Sequence, residues 1–257
     1  MARIQINYPG MGNSAMDLYI PQYGDSAIHN GMTEEMFYSR KFPVLWLLHA
    51  EGENGSSWFR YSLLEEYAAQ LNIAVVCPAI ENSFGINVKR GDPWESFLTG
   101  SLRKVVYSML PISDRREDNF IAGISMGGYA AIRLALKYPE LFEAAGSLNG
   151  IVELDENLLS YWWNQTQLEY VFGSVDEMRD EDYKLEKLAS AAQVKPEIYL
   201  NCIRENRQYM YNKKLFDYLE KEKYMVSFDE MDSGSTDLNS RNMQLKKWLT
   251  FVSELKR

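Results

Sequence analysis

The chain has 257 residues, 46% of them apolar, which is enough to bury one large core in a single domain over 1–257. Its formal net charge of −9 argues against nucleic acid or an anionic membrane surface as a partner, and no basic cluster interrupts that balance. The first residues, Met1-Ala2-Arg3-Ile4-Gln5-Ile6, alternate polar and apolar side chains, so no signal peptide or membrane span is expected and a reducing, cytoplasmic setting follows.

From the start of the chain, Arg3 to Tyr8 and Met16 to Ile20 read as more exposed, antiparallel strands. The polar connection from Gly24 to Arg40 carries His29, expected on the surface and away from the end of the sheet where a site would form. Short apolar runs then alternate with amphipathic stretches. Strands are predicted at Val44 to Leu48, Ala74 to Cys77, Phe120 to Ile124, Ala144 to Leu148, Ile198 to Cys202 and Met225 to Phe228. Helices are predicted at Ser62 to Leu71, Glu95 to Met109, Tyr129 to Tyr138, Tyr209 to Lys221 and Asn239 to Leu255. This rhythm predicts an α/β fold, a mainly parallel sheet with helices on both faces. Cys77 and Cys202 both fall in predicted strands and read as small core residues, not as a disulfide pair. The segment from Val152 to Ala192 breaks the rhythm. Rich in acidic residues and in Tyr161, Trp162 and Trp163, it is expected to form a small, cap-like helical excursion over the sheet. At adjacent positions at least one ring must face the core, and the others could wall an acyl or sugar pocket.

The stretch Gly123-Ile124-Ser125-Met126-Gly127 carries the chemistry. A Gly-x-Ser-x-Gly between a buried strand and a helix sets the serine on a sharp turn, where side chains at the glycine positions would strike the neighbouring strand and helix. Ser125 is therefore a candidate nucleophile, and the N–H of Met126, at the helix start, can donate to an oxyanion beside it. A base for that serine is not evident. The only histidines, His29 and His49, both precede it, whereas this build takes its imidazole from near the C-terminus. His49 ends a strand at the site end of the sheet and reads first as a structural histidine, second as a substitute base. Lys89 and Arg90 read as solvated charges and not as a desolvated lysine base. Asp229, Glu230, Asp232 and Asp237 lack histidine or cysteine partners, so they read as an acidic rim, and neither a metal nor a cofactor is expected.

Several runs together resemble a known family. Phe42-Pro43-Val44-Leu45-Trp46-Leu47-Leu48-His49-Ala50, Trp58, Ala74-Val75-Val76-Cys77-Pro78 and Phe120-Ile121-Ala122-Gly123-Ile124-Ser125-Met126-Gly127-Gly128-Tyr129-Ala130-Ala131 look like the tributyrin esterase branch of the esterase D / S-formylglutathione hydrolase family. Tyr138-Pro139-Glu140-Leu141-Phe142, Ser147-Leu148-Asn149-Gly150 and Val171-Phe172-Gly173 extend the resemblance over nearly the whole chain. It implies an α/β-hydrolase fold and hydrolysis of short-chain carboxylic or thiol esters. Members of that family are often homo-oligomers, and exposed tyrosines near the excursion could serve such contacts.

Position by position, the resemblance departs where the chemistry is demanding. The acid of the family follows a strand ending in a Cys-Gly-x-x-Asp-like pattern, where Cys202-Ile203-Arg204-Glu205-Asn206 puts Asn206. The histidine sits in a Gly-x-His-Asp-Trp-like turn, where Gly234-Ser235-Thr236-Asp237-Leu238 puts Thr236. The oxyanion loop's His-Gly is His49-Ala50, followed by Glu51 and Glu53, which read as a solvated loop and would oppose an oxyanion if they faced the pocket. Glu205, beside the acid position, has no imidazole to orient. The expectation is a catalytically impaired or non-catalytic relative that binds a small ester-like ligand or a partner in the former cleft. The alternative is a weakly active ester hydrolase using Ser125 with a non-standard base.

Overall fold

The computed structural model describes residues 2–8, 11, 15–232 and 238–255. Its strands are β1 (Ala2–Asn7), β2 (Ala15–Ile20), β3 (Val44–Leu48), β4 (Ala74–Pro78), β5 (Asn119–Ile124), β6 (Ala144–Leu148), β7 (Glu197–Ile203) and β8 (Val226–Met231). They form one sheet in the order β1-β2-β4-β3-β5-β6-β7-β8. β2 pairs antiparallel with β1 and β4, and every pair from β4 across to β8 is parallel.

The buried runs follow from helices covering both faces. Along β3, Val44, Trp46 and Leu48 point into one core with Val76, Ile121 and Tyr129, while Leu45 and Leu47 point into the other with Phe120, Trp58 and Trp248. The expectation of exposed N-terminal strands needs correction at β2. Met16, Leu18 and Tyr19 are buried because β2 has a partner on each side, and even Asp17 is buried, accepting from Arg3 at 2.9 Å.

The longer helices are α1 (Leu64–Leu71), α2 (Leu102–Met109), α3 (Met126–Lys137), α4 (Gln165–Phe172), α5 (Leu185–Ala191), α6 (Tyr209–Lys221) and α7 (Leu238–Leu255), of which α4 and α5 belong to the excursion. The helix expected over Glu95 to Met109 is not uniform. A turn at Trp94–Ser96 passes through a π-helical stretch, Phe97–Ser101, before α2. There the Thr99 hydroxyl donates to the Glu95 carbonyl at 2.8 Å, competing for the acceptor that a regular helix would give the residue-99 N–H. The excursion is helical as expected, with α4 opened by a reciprocal capping box between Asn164 and Gln167. Among the described residues no helix is long and apolar enough to cross a membrane.

A buried ion cluster holds α3, the helix that carries the site, in place. Arg133 on α3 pairs with Glu95 at 2.6 Å, and the other Glu95 oxygen accepts from Tyr138 at 2.6 Å and Lys137 at 3.0 Å. Arg133 Nε also donates to the Asp182 carbonyl, and the Tyr129 hydroxyl to the Tyr183 carbonyl, so α3 is tied to the excursion above it.

Candidate active site

Ser125 occupies the bend between β5 and α3 with φ 53° and ψ −118°, a left-handed conformation that costs a non-glycine residue about 1–3 kcal/mol. The flanking glycines permit it. A Cβ at Gly123 would sit 2.2 Å from the Gly127 carbonyl oxygen, and one at Gly127 would sit 2.6 Å from the carbonyl oxygens of Leu48 and His49. The bend is held by Ser125 N–H donating to Leu148 O at 3.3 Å and Ile151 N–H donating to Ser125 O at 3.1 Å. Met126 opens α3, so its N–H has no carbonyl one turn earlier in the helix to bond and is oriented as an anion donor.

The Ser125 hydroxyl donates to Glu51 Oε2 at 2.8 Å. The solvated loop expected for Glu51 and Glu53 is therefore corrected: both carboxylates are engaged. Glu53 takes a two-pronged interaction from Arg241 of α7 at 2.6 and 3.3 Å, and Arg241 lies over the Trp58 ring. Gly52 N–H donates to Asn82 Oδ1 at 2.8 Å and Glu53 N–H to Ala50 O at 3.2 Å, fixing the loop that carries Ala50 and Glu51 beside the serine.

His49 is buried, with both ring nitrogens committed away from Ser125. Nδ1 donates to Ala50 O at 2.7 Å, and Nε2 accepts from Ile80 N–H at 2.9 Å. Burial depresses its pKa; the Ala50 carbonyl and the charges of Glu53 and Glu51 act in the opposite direction without reversing the shift. His49 is thus bonded as a structural histidine, the first of its two expected roles, and not as the substitute base, and His29 ends a surface helical turn, exposed. A depressed imidazole pKa has a sign in stability. The folded chain refuses a proton that the unfolded chain takes below about pH 6.5, so this contribution is present above that pH and is lost as pH falls. The stability gap between wild type and His49→Gln, measured by urea unfolding, is expected to narrow between about pH 6.5 and pH 5; a gap constant with pH would contradict it.

Asn206 reaches the cleft after β7, where its Nδ2 donates to Asn149 Oδ1 at 2.8 Å. That oxygen also accepts from Ile203 N–H at 3.3 Å, which orients the Asn149 amide. Gln208 Nε2 donates to the Asn149 carbonyl at 3.2 Å. Asn149, at the end of β6 with φ 49°, and Arg241 are site residues that the sequence reading did not single out. The signal for Asn149 was its place before Gly150, since asparagine tolerates the left-handed region better than most residues. Thr236 and Asp237 lie outside the described residues. Of the acidic rim, Asp229 accepts from Lys247 and Tyr199, while Arg204 binds Glu230 and Asp232.

These groups surround a cleft of about 390 Å³ whose walls include Ser125, Glu51, Asn206, Tyr161 and Trp162. The aromatic trio divides: Trp163 is buried on Phe84 with centroids 4.9 Å apart, while Tyr161 and Trp162 face the cleft and Arg207 stacks on Tyr161 at 4.1 Å. Lys89 pairs with Glu177 away from these walls. Cys202, hydrogen-bonded to Asn149 Oδ1, is no second nucleophile, because burial pushes its thiol up to about 12. The site thus offers an alcohol, a carboxylate in contact with it, and an N–H donor beside both.

Residues 30–254 match the family described as "Putative esterase". The chain is 27% identical to an acetyl esterase of Caldicellulosiruptor saccharolyticus over 84% of its length and 86% of that protein. It superposes on the fluorophosphonate-binding serine hydrolase F (FphF) of Staphylococcus aureus with a TM-score of 0.83, at 26% identity and covering 98% of both chains. The S-formylglutathione hydrolase FrmB of the same organism gives a TM-score of 0.81, also at 26% identity and 98% coverage of each. With a serine on a strand-turn-helix bend after a central parallel strand and a match spanning most of its length, the chain belongs to the "Putative esterase" family and has the α/β-hydrolase fold.

Proposed function

We propose that the protein is a catalytically impaired carboxylesterase-family member that holds a small ester-like ligand against Ser125. The observation that carries this reading is that the Ser125 hydroxyl meets a carboxylate, while the ring nitrogens of His49 are both bonded elsewhere. Asn206 and Thr236 stand where the resemblance puts the acid and the imidazole. Loss of the histidine from a complete triad costs about a million-fold in turnover and leaves about a thousand-fold over water from the oxyanion donors and binding. The cleft itself is large enough for a short acyl ester, with the rings of Tyr161 and Trp162 to cover it. The free, buried state of Cys77 and Cys202 supports a reducing, cytoplasmic setting.

Binding tests the reading independently of turnover. A ketone isostere of a short ester, 2-heptanone, is expected to show saturation transfer from the wild-type protein and to lose it when Asn206→Trp fills the cleft. Equal saturation transfer from the folded variant would refute this assignment of the cleft.

A further inference from the structure

We propose that Glu51 is the proton acceptor for Ser125, making this a serine–carboxylate site in which the oxyanion loop supplies the base that the C-terminal turn does not. The inference rests on the same cleft being an ester site and adds the residue that drives its remaining chemistry. Three observations carry it. Glu51 Oε2 is 2.8 Å from Ser125 Oγ, within the range for direct proton transfer. The loop is held just after Glu51, by Asn82 at Gly52 and by Arg241 at Glu53, so the carboxylate is positioned before substrate arrives. Finally, Arg241 is engaged by Glu53, and among the described residues Glu51 accepts from the serine.

The charge objection to a glutamate in an oxyanion loop disappears once the proton is followed. As Ser125 Oγ bonds to the acyl carbon, its proton moves to Glu51 Oε2 and the carbonyl electron pair moves to oxygen, beside Met126 N–H. Glu51 is then neutral while the oxygen is negative, so the two never carry like charges together. Collapse re-forms the carbonyl and breaks the bond to the leaving oxygen, which takes the proton from Glu51. Water repeats the sequence: it gives its proton to Glu51, its oxygen adds to the acyl carbon, and the proton returns to Ser125 Oγ as the acid departs. Each step conserves charge and needs only water.

The charged and titratable groups that share this cleft or segment with Glu51 among the described residues are His49 and Glu53 from its own segment, Arg241 from α7, Glu205 and Arg207 from the loop after β7, and Tyr161 from the excursion. None of them is an imidazole in contact with the serine.

The test uses p-nitrophenyl acetate and the full chain. Glu51→Gln keeps the size of the side chain without its basicity, and is expected to lower the serine-dependent rate about a hundredfold, the low end for general-base catalysis. Glu51→Ala is expected to regain rate with added sodium formate in a concentration-dependent way, which a merely structural glutamate would not allow. A Glu51→Gln rate equal to or above wild type, or a wild type with no serine-dependent rate, overturns the proposal. Either result leaves the 2-heptanone experiment to judge the ligand cleft separately.

Discussion

Asn206→Asp and Thr236→His introduced together are expected to raise kcat/KM for p-nitrophenyl butyrate by at least about a thousandfold, part of the roughly million-fold that a triad histidine is worth. The described part of the scaffold suits such a change: the serine is on its bend, Met126 heads α3, and Asn206 already lies in the cleft. The single changes are expected to do far less, for a reason visible at Asn149. Its Oδ1 is held by Ile203 N–H and faces residue 206, so an aspartate there points a carboxylate at a carbonyl oxygen and loses a hydrogen bond. Asn206→Asp alone should cost about 1–3 kcal/mol in stability and leave the rate no higher than wild type. With an imidazole at 236 to share, the same carboxylate has a partner, so the effects of the two substitutions are strongly non-additive. Steady-state rates of the four proteins measure this directly. A folded double variant that remains at the wild-type rate would show that the two positions do not converge on Ser125.

Glu95→Ala is expected to lower unfolding free energy by about 3–5 kcal/mol, because it strands the Arg133 guanidinium inside the protein without its counter-charge. Both side chains are nearly inaccessible, and Glu95 also accepts from Tyr138 and Lys137. Glu95→Gln retains some of those hydrogen bonds and should cost less. Burial by itself raises the Glu95 pKa, but Arg133, with Tyr138 and Lys137, more than offsets it and the net shift is downward. The sign follows: this contribution is present above the unfolded glutamate value of about 4.3 and is lost as pH falls below it. Guanidinium unfolding at neutral pH checks the magnitude. A loss under about 1 kcal/mol would contradict the view that this pair anchors the elbow helix. Since Arg133 lies two turns beyond Ser125 on the same helix, the variant should also blunt any gain from restoring the triad.

The elbow was legible in the sequence because its requirement is steric and local: two glycines and a serine between an apolar run and a helix leave few alternatives. The parallel strands were legible for a similar reason, since a strand covered on both faces has to be apolar throughout. The burial of β2 was not, because it depends on a partner, β4, that lies more than fifty residues away and cannot be read from the alternation of Met16 to Ile20. The π-helical stretch over Phe97–Ser101 escaped as well, being a contest between a threonine hydroxyl and a backbone N–H for one carbonyl. At the site, the missing C-terminal histidine could be seen by counting, but the place of Glu51 could not. Glutamates after a strand normally stay in water, and only the tertiary arrangement of Asn82, Arg241 and the elbow turns this one toward Ser125.

How fast the unaltered protein hydrolyses an activated ester through Ser125 decides whether its serine is catalytically impaired. Enzymes commonly reach kcat/KM of about 10⁴ to 10⁸ M⁻¹s⁻¹. For p-nitrophenyl butyrate at neutral pH, the difference between wild type and Ser125→Ala is expected to be measurable but below about 10² M⁻¹s⁻¹, the loss that follows when a carboxylate replaces an imidazole. A serine-dependent value within the ordinary enzymatic range would contradict the account, because it would require a base as effective as histidine at a serine that touches none.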